Sequence, residues 1–145
     1  MPPSDDDGFY LGPEENLIGP GTQTRGGTHY RDLGRDTTEG LIVLIHGIGD
    51  FSFRYALLAP ALVKLGYRVA VLDFIGRGWS PVSFFSPLKC DAESHSLEIK
   101  AVVDSIAFHG KHHIVGHSMG GCAATHYVAE YGTPQPFFAY VISTE

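Results

Sequence analysis

The feature that most constrains the fold is a regular alternation of strand-like and helix-like segments. The strand-like segments are LIVLIHG, YRVAVLDF, HHIVGH and PFFAYVIS, and the helix-like ones are FSFRYALLAPALVKLG, LEIKAVVDSIAFHG and MGGCAATHYVAEYG. Continuous apolar runs such as LIVLI suit parallel strands that are covered on both faces. Strands that alternate with helices in this way predict an α/β domain, with a mainly parallel sheet and helices on both faces.

The start of the chain differs from the rest in composition. Residues 1–27 are rich in glycine, proline and acids, and five of the sixteen acids precede Arg25, the first basic residue. We expect an acidic lead-in over residues 1–27 with an edge strand near its end, followed by the α/β domain over residues 28–145. THYRDLG is predicted to be a short strand, and Pro60 is expected to break or restart the first helix.

Charge and hydropathy exclude several classes of function. From residue 25 onward eleven acids accompany ten bases, so we expect no nucleic-acid surface. Apolar runs such as LIVLI have about five residues, whereas a helix that crosses a bilayer needs about 20. The opening MPPSDDDGFY has no positive region followed by an apolar stretch, so we expect no secretory signal, and the two cysteines are not expected to make a disulfide framework. The interpretation is a globular cytoplasmic protein without a membrane span.

The segment GHSMG places one serine between two glycines, and it lies between a predicted strand and a predicted helix. This is the context of the G-x-S-x-G nucleophile-elbow motif. Gly116 and Gly120 are expected where the strand and the returning helix approach too closely for a β-carbon. Ser118 is expected in a strained conformation, with the Met119 amide directed to a developing oxyanion. The alternative is that Ser118 is only a helix N-cap.

A second glycine-rich stretch, HGIG, follows the first buried strand. The motif places a second oxyanion donor at this point, and we assign it to the amide of Ile48. Gly47 and Gly49 are expected to let the backbone approach the substrate. His46 is interpreted as a hydrogen-bonded structural group, because a histidine ahead of a glycine turn is more often structural than a catalytic base.

A third stretch, DFIGRGWS, follows the next strand and contains Asp73, Gly76 and Gly78. It has neither G-K-[ST] nor G-x-G-x-x-G, so the stretch does not indicate nucleotide binding. We interpret it as a tight turn near the mouth of the site, with Trp79 lining an acyl pocket.

HGIG, DFIGRGWS and GHSMGG, in this order, resemble the lipase, esterase and serine-peptidase-like branch of the α/β-hydrolase superfamily over residues 28–145. The resemblance implies that Ser118 is the nucleophile and that Ile48 and Met119 supply the oxyanion hole. It implies acyl transfer from a small ester, thioester or lipid to water, with a histidine as base and an acid that orients it. That reaction needs no metal or organic cofactor.

The resemblance also implies the order serine, acid, histidine along the chain, which the residues after Ser118 do not supply. His126 lies eight residues into the predicted helix, which places it about 12 Å along the axis. His117 is adjacent to Ser118 and is expected to point to the opposite side of the strand. His112 and His113 are expected on opposite strand faces for the same reason, so the pair does not indicate a metal site.

The remaining candidate for the acid is Glu145, a weak one, because no histidine follows it. We therefore expect that the C-terminal part of the fold, with the acid and the histidine, is missing from this sequence. The leading hypothesis is a serine hydrolase. The alternative is a catalytically incomplete, truncated product that acts as a binding module and self-associates through its exposed last strand. An acyltransferase or a carbon–carbon hydrolase on the same elbow also stays open.

Overall fold

The computed structural model describes residues 21–82, 89–132 and 139–142. It has one six-stranded sheet with the order β1-β2-β4-β3-β5-β6. The strands are β1 Thr22–Gln23, β2 His29–Leu33, β3 Leu41–Ile45, β4 Arg68–Asp73, β5 His112–His117 and β6 Ala139–Ile142. The helices are a 3₁₀ helix, Ser52–Tyr55, followed by α1 Leu58–Lys64, α2 Ala92–Ile106 and α3 Met119–Tyr131.

The pairing of the strands confirms a mainly parallel α/β sheet. β3 pairs in parallel with β4 and with β5, and β5 pairs in parallel with β6. The antiparallel pairs are β1 with β2 and β2 with β4, at one edge. The edge strand expected near the end of the lead-in is β1, whereas the domain boundary at residue 28 stays a prediction.

Helices cover both faces of the sheet, as the buried apolar runs indicated. Alternate residues of β3 point to opposite sides because the strand has a period of two. Leu41 and Val43 pack in the cluster that contains Ile99 of α2, whereas Ile42 and Leu44 pack in the cluster on the other face, around the 3₁₀ helix and α1. All of β3 is therefore buried.

Helix boundaries differ from the sequence prediction at two points. α2 begins at Ala92 rather than Leu97, because Asp91 caps it by accepting a hydrogen bond from the Ser94 amide at 2.7 Å. It ends at Ile106, followed by Ala107 in the left-handed region, rather than at Gly110. The prediction that Pro60 breaks or restarts the first helix was wrong: α1 runs through it. Pro60 is the third residue of α1, within the first turn, where the backbone nitrogen needs no helical acceptor.

The strand order creates a crevice at the carboxyl ends of β3 and β5. The chain that leaves β3 returns to the sheet at β4 on one side, and the chain that leaves β5 returns at β6 on the other side. Open α/β sheets bind ligands where neighbouring connections diverge in this way. The segments that follow β3 and β5, which contain HGIG and GHSMGG, meet at this crevice.

Candidate active site

Ser118 stands at the β5–α3 corner, which we define as residues 116–121, in a strained conformation. Its φ is 52° and its ψ −120°, and such conformations cost about 1–3 kcal/mol. The residue is exposed. Its side chain makes no capping hydrogen bond to the helix, so the structure does not support the alternative in which it is only an N-cap.

The corner is packed backbone against backbone at two of its glycines, Gly116 and Gly120. A β-carbon added at Gly116 would overlap the carbonyl of Gly120 and lie 2.6 Å from the amide nitrogen of Gly121. A β-carbon added at Gly120 would overlap the carbonyl oxygen of His46 and lie 2.7 Å from that of Ile45. The expected close approach of strand and helix is present, and α3 also lies directly against the end of β3.

α3 begins at Met119, immediately after the serine. The carbonyl of Ser118 accepts hydrogen bonds from the amides of Gly121 and Cys122 at 2.8 and 3.4 Å. The amides of Met119 and Gly120, which precede these two, have no acceptor within the helix and lie at the positive end of its dipole. This end of α3 is therefore suited to stabilise negative charge beside the serine.

The loop after β3, residues 46–51, lies against this corner and is called the β3 loop below. A β-carbon added at Gly47 would lie 3.1 Å from Cβ of Ser118 and 2.9 Å from Nδ1 of His117. Ile48, the next residue, is 72% exposed. Gly49 has a φ of 69°, and a β-carbon there would meet nothing within 4 Å. Close approach thus explains Gly47, whereas Gly49 is needed for its backbone conformation.

His46 is fully buried and both of its ring nitrogens are engaged. Nε2 accepts a hydrogen bond from the amide of Phe74 at 3.0 Å, so Nδ1 carries the proton and donates it to the carbonyl of Gly47 at 2.8 Å. Burial lowers the pKa of His46, although the bond to Gly47 and the charge of Asp73 oppose the shift. The side chain is a neutral link between the ends of β3 and β4.

Asp73, at the end of β4, is a fully buried carboxylate that accepts three hydrogen bonds. Oδ1 accepts from the Ser52 amide at 2.6 Å, and Oδ2 accepts from Nδ1 of His29 at 3.1 Å and from the Trp79 amide at 3.2 Å. Burial raises the pKa of Asp73, but these hydrogen bonds outweigh it and hold the pKa below its ordinary value. Asp73 therefore joins β2, the 3₁₀ helix and the turn after β4.

That turn contains the other residues of the DFIGRGWS stretch. Gly76 and Gly78 have φ values of 77° and 48°, and a β-carbon at Gly78 would lie 2.5 Å from Oδ1 of Asp73. The ring of Trp79 lies 6.4 Å from that of His29. Its place in an acyl pocket stays a prediction.

The pair His112 and His113 lies on opposite strand faces, as the strand period predicted. The rings of His112 and His113 contact Phe108 and Tyr67, which lie on opposite sides of the sheet. His126 is hydrogen-bonded to α2 at 3.0 Å. Over residues 21–82, 89–132 and 139–142, no histidine is hydrogen-bonded to the serine, and no group of three His, Cys, Asp or Glu residues is arranged to hold a metal ion. Glu145 lies outside the described residues.

Two arginines near the site were not found from the sequence. Arg54 contacts Asp50 at 2.7 Å and Nε2 of His117 at 3.2 Å, which ties the β3 loop to β5. Its spacing of four residues from Asp50 was a usable signal. Arg31 of β2 donates to Oγ of Ser52 at 2.6 Å. No sequence signal connects those two positions.

None of the helices in the described ranges has the length and apolar character that crossing a membrane requires.

Comparison with known proteins places this geometry in a family. The family model described as serine aminopeptidase, S33, matches residues 36–144. The chain is 32% identical over 119 residues to a 2-hydroxy-6-oxononadienedioate/2-hydroxy-6-oxononatrienedioate hydrolase of Burkholderia vietnamiensis, covering 80% of this chain and 39% of that protein. It is 30% identical over 105 residues to a proline iminopeptidase of Lactobacillus acidophilus, and the match covers 72% of this chain and 36% of that protein.

The fold is also similar to that of a solved structure. The crystal structure of a bromoperoxidase from Bacillus anthracis has a TM-score of 0.67 and 26% identity, and the match covers 79% of this chain and 41% of that one. The chain spans about two-fifths of the length of the curated relatives it matches.

Proposed function

The chain belongs to the serine aminopeptidase, S33, family of α/β-hydrolases, and from this premise we propose that it is a serine hydrolase with Ser118 as nucleophile. The proposed substrate is a carboxylic ester, a thioester or a lipid. The observation that carries the proposal is the exposed hydroxyl of Ser118, held at positive φ between β5 and α3 with the β3 loop against it.

The proposed reaction is acyl transfer to water. Oγ of Ser118 attacks the carbonyl carbon and forms a new C–O bond, while a histidine takes the hydroxyl proton. The tetrahedral intermediate then releases the leaving group, which receives that proton. Water attacks the acyl-enzyme in the same way, releases the carboxylic acid and restores the serine.

Two backbone amides are proposed to stabilise the oxyanion. Support for Met119 is its place as the first residue of α3, where the amide has no helical acceptor. Support for Ile48 is the contact of its neighbour Gly47 with Ser118. Removal of one such donor costs about 10²–10³ in kcat. His46 and Asp73 are proposed to act only by holding the strand ends in place.

The proposal assigns the histidine and the acid of the triad to residues outside the described ranges. Glu145, the weak candidate for the acid, also lies outside the described ranges. Support comes from the relatives, which are more than twice as long as the matched region.

Labelling with a fluorophosphonate probe tests the nucleophile in the complete protein. Ser118→Ala is expected to abolish labelling, since the probe reacts only with an activated hydroxyl. The matched control is Ser105→Ala, which removes an exposed hydroxyl on α2 that is bonded to the carbonyl of Ala101, and its labelling is expected to equal that of the wild type. Equal labelling of Ser118→Ala and wild type would contradict the assignment.

The substrate class is tested separately, because fold does not fix chemistry. Hydrolysis of a p-nitrophenyl ester, a proline p-nitroanilide and a hydroxy-oxo-dioate is compared on the same preparation. Turnover of the ester at the highest kcat/KM supports the proposal. Preference for the anilide or the dioate contradicts the ester class and favours a peptidase or a carbon–carbon hydrolase.

A binding module is the second candidate function, and the observation that favours it is the lack of a histidine at Ser118 in the described part of the chain. A serine without its base retains only the contribution of the oxyanion hole and binding. The 145 residues alone are then expected to lose roughly 10⁴–10⁶ in kcat against the complete protein. Turnover by them at the complete protein's rate would contradict this candidate.

Self-association and a cytoplasmic location are also kept as proposals. Among the described strands β6 pairs only with β5, and an unpaired strand edge recruits other chains. Light scattering after size exclusion tests the first proposal, with a monomer as the contradicting result, and cell fractionation tests the second.

A further inference from the structure

The middle of the β3 loop has few contacts of its own. Ile48 is 72% exposed, and the space around a β-carbon at Gly49 is empty to 4 Å. A segment that is not packed in its middle takes its position from its two ends. The position of the Ile48 amide therefore depends on what holds the residues on either side of the loop.

The first end is held by the carboxyl ends of two strands. The ring of His46 accepts a hydrogen bond from the amide of Phe74, and Gly47 lies against Ser118. These contacts leave little freedom for the first two residues of the loop.

The second end is held through Ser52, the first residue of the 3₁₀ helix. Its amide donates to Oδ1 of Asp73 at 2.6 Å, and its hydroxyl accepts from Nη1 of Arg31 at 2.6 Å. Ser52 is buried, so both bonds are shielded from water.

Arg54 also contacts Asp50 of the loop and Nε2 of His117, but both of these contacts are exposed to water. The next buried anchor, the hydroxyl of Tyr55 on the carbonyl of Ile45 at 2.8 Å, lies at the far end of that helix.

Arg31 is a buried cation with no place in the proposed reaction. It comes from β2, is 5% exposed, and its Nη1 also lies 3.7 Å from Oδ2 of Asp73. A guanidinium presents several donors in one plane, so it can serve the hydroxyl and the carboxylate together. An ammonium in the same place is a point charge that cannot reproduce that geometry.

We propose that Arg31 is a positioning residue for the proposed oxyanion hole, in that its bond to Ser52 holds the second end of the β3 loop and thereby the Ile48 amide. The inference rests on the proposed function. A displaced donor weakens the transition state more than the bound substrate, so kcat falls while KM changes little.

Kinetics of the complete protein test the proposal with Ser52→Ala and Arg31→Lys. Each is expected to lower kcat about 10-fold, less than full loss of an oxyanion donor, with KM changed by less than about twofold. Both variants remove the same bond, that between Arg31 and Ser52. The double variant is therefore expected to have a kcat no lower than that of the slower single variant. Ser52→Ala removes only a hydroxyl, so it decides the outcome if Arg31→Lys does not fold.

The matched control is Arg68→Lys. Arg68 is also an arginine of this sheet. It donates to Asp32 of β2 at 2.8 and 2.7 Å and, unlike Arg31, is not bonded to Ser52. Its kcat is expected to equal that of the wild type. An equal fall in kcat for Arg68→Lys, or an unchanged kcat for Ser52→Ala, overturns the proposal.

Amide chemical shifts report the position of the β3 loop independently of catalytic activity. In Ser52→Ala the ¹H–¹⁵N signals of residues 47–51 are expected to move, whereas in Arg68→Lys they stay. Unmoved signals in Ser52→Ala overturn the positioning role even if Ser118 proves to be the nucleophile. If the signals move in Ser52→Ala but Ser118→Ala is still labelled, the proposed function is wrong, whereas the role of Arg31 in positioning the loop is supported.

Discussion

The β5–α3 corner and the β3 loop border the same serine, yet different kinds of contact hold them. At the corner, Gly116 and Gly120 bring backbone atoms of β5, α3 and β3 so close that no β-carbon fits. In the loop, side chains of β2 and β4 reach over to hold Ser52. The corner is thus set by steric exclusion between backbone atoms, whereas the loop is set by buried hydrogen bonds of side chains.

This difference teaches how each part should respond to substitution. A sterically closed corner tolerates no added atom, even a methyl group, because the packed backbone cannot move aside. A loop with an exposed middle tolerates added atoms but not the loss of a buried partner or of a required backbone angle. The predictions below test that contrast, from the largest expected effect to the smallest.

The largest effect is expected at the corner. Gly116→Ala places a methyl group inside the backbone of Gly120 and Gly121, and we expect a loss of about 3 kcal/mol in the free energy of unfolding. Urea denaturation of the complete protein measures it. The control is Gly26→Ala, whose β-carbon meets only Oγ1 of Thr24 at 3.8 Å. Equal losses in the two variants would show that the corner is not sterically closed.

A smaller loss is expected from Asp73→Asn, which removes the charge that the loop depends on. Hydrogen bonds to a charged group contribute about 2 kcal/mol each, and we expect a loss of about that size at pH 7. Gly116 and Gly120 have no side chain that could make such a bond, so this loss separates the two kinds of contact.

The stability lost in Asp73→Asn should become smaller as the pH falls. The pKa of Asp73 is lowered in the folded state, so its stabilisation is fully present above the unfolded value of about 3.9 and disappears as the pH falls through the folded value. The difference between wild type and Asp73→Asn should therefore narrow below about pH 4. A difference that stays constant from pH 7 to pH 3 would show that the carboxylate charge plays no part.

Backbone conformation in the loop is tested at Gly49. Gly49→Val is expected to lower kcat about 10-fold, because a φ of 69° costs a branched residue about 1–2 kcal/mol. Gly49→Asn adds similar bulk but adopts positive φ readily, and it should keep most of the activity. If both variants lose activity equally, crowding rather than conformation is the cause.

The smallest effect is expected at the two proposed oxyanion donors. Because both donors are backbone amides, Met119→Leu and Ile48→Val should each change kcat by less than about threefold. A larger fall for either variant would assign a direct role to its side chain. Steady-state kinetics on the same ester decide between these outcomes.

Much of the fold could be predicted because it depends on local periodicity. The apolar run of β3 and the helical spacing of α3 indicated a parallel sheet with helices on both faces. The start of α2 was placed too late, because the cap at Asp91 was not recognised. Its end was misplaced because Ala107, not a glycine, takes the left-handed conformation there.

The sequence by itself determined the corner. Glycines two residues on either side of Ser118, between an apolar run and a helical pattern, describe a turn whose sterics involve neighbours in the chain. The sequence also determined that HGIG follows the central strand, which places it in the crevice once the strands are ordered. In both cases the signal is a glycine turn that follows an apolar run, so it is visible in the order of the letters.

Only the tertiary structure decided how the β3 loop is held. Arg31 and Ser52 lie 21 residues apart in the chain, as do Ser52 and Asp73, and nothing in their spacing marks them as partners. They meet because β2 pairs with β4 and the 3₁₀ helix packs against β4 and β3. Buried polar groups must find partners wherever the packed chain brings them, and that choice is made by the assembled sheet.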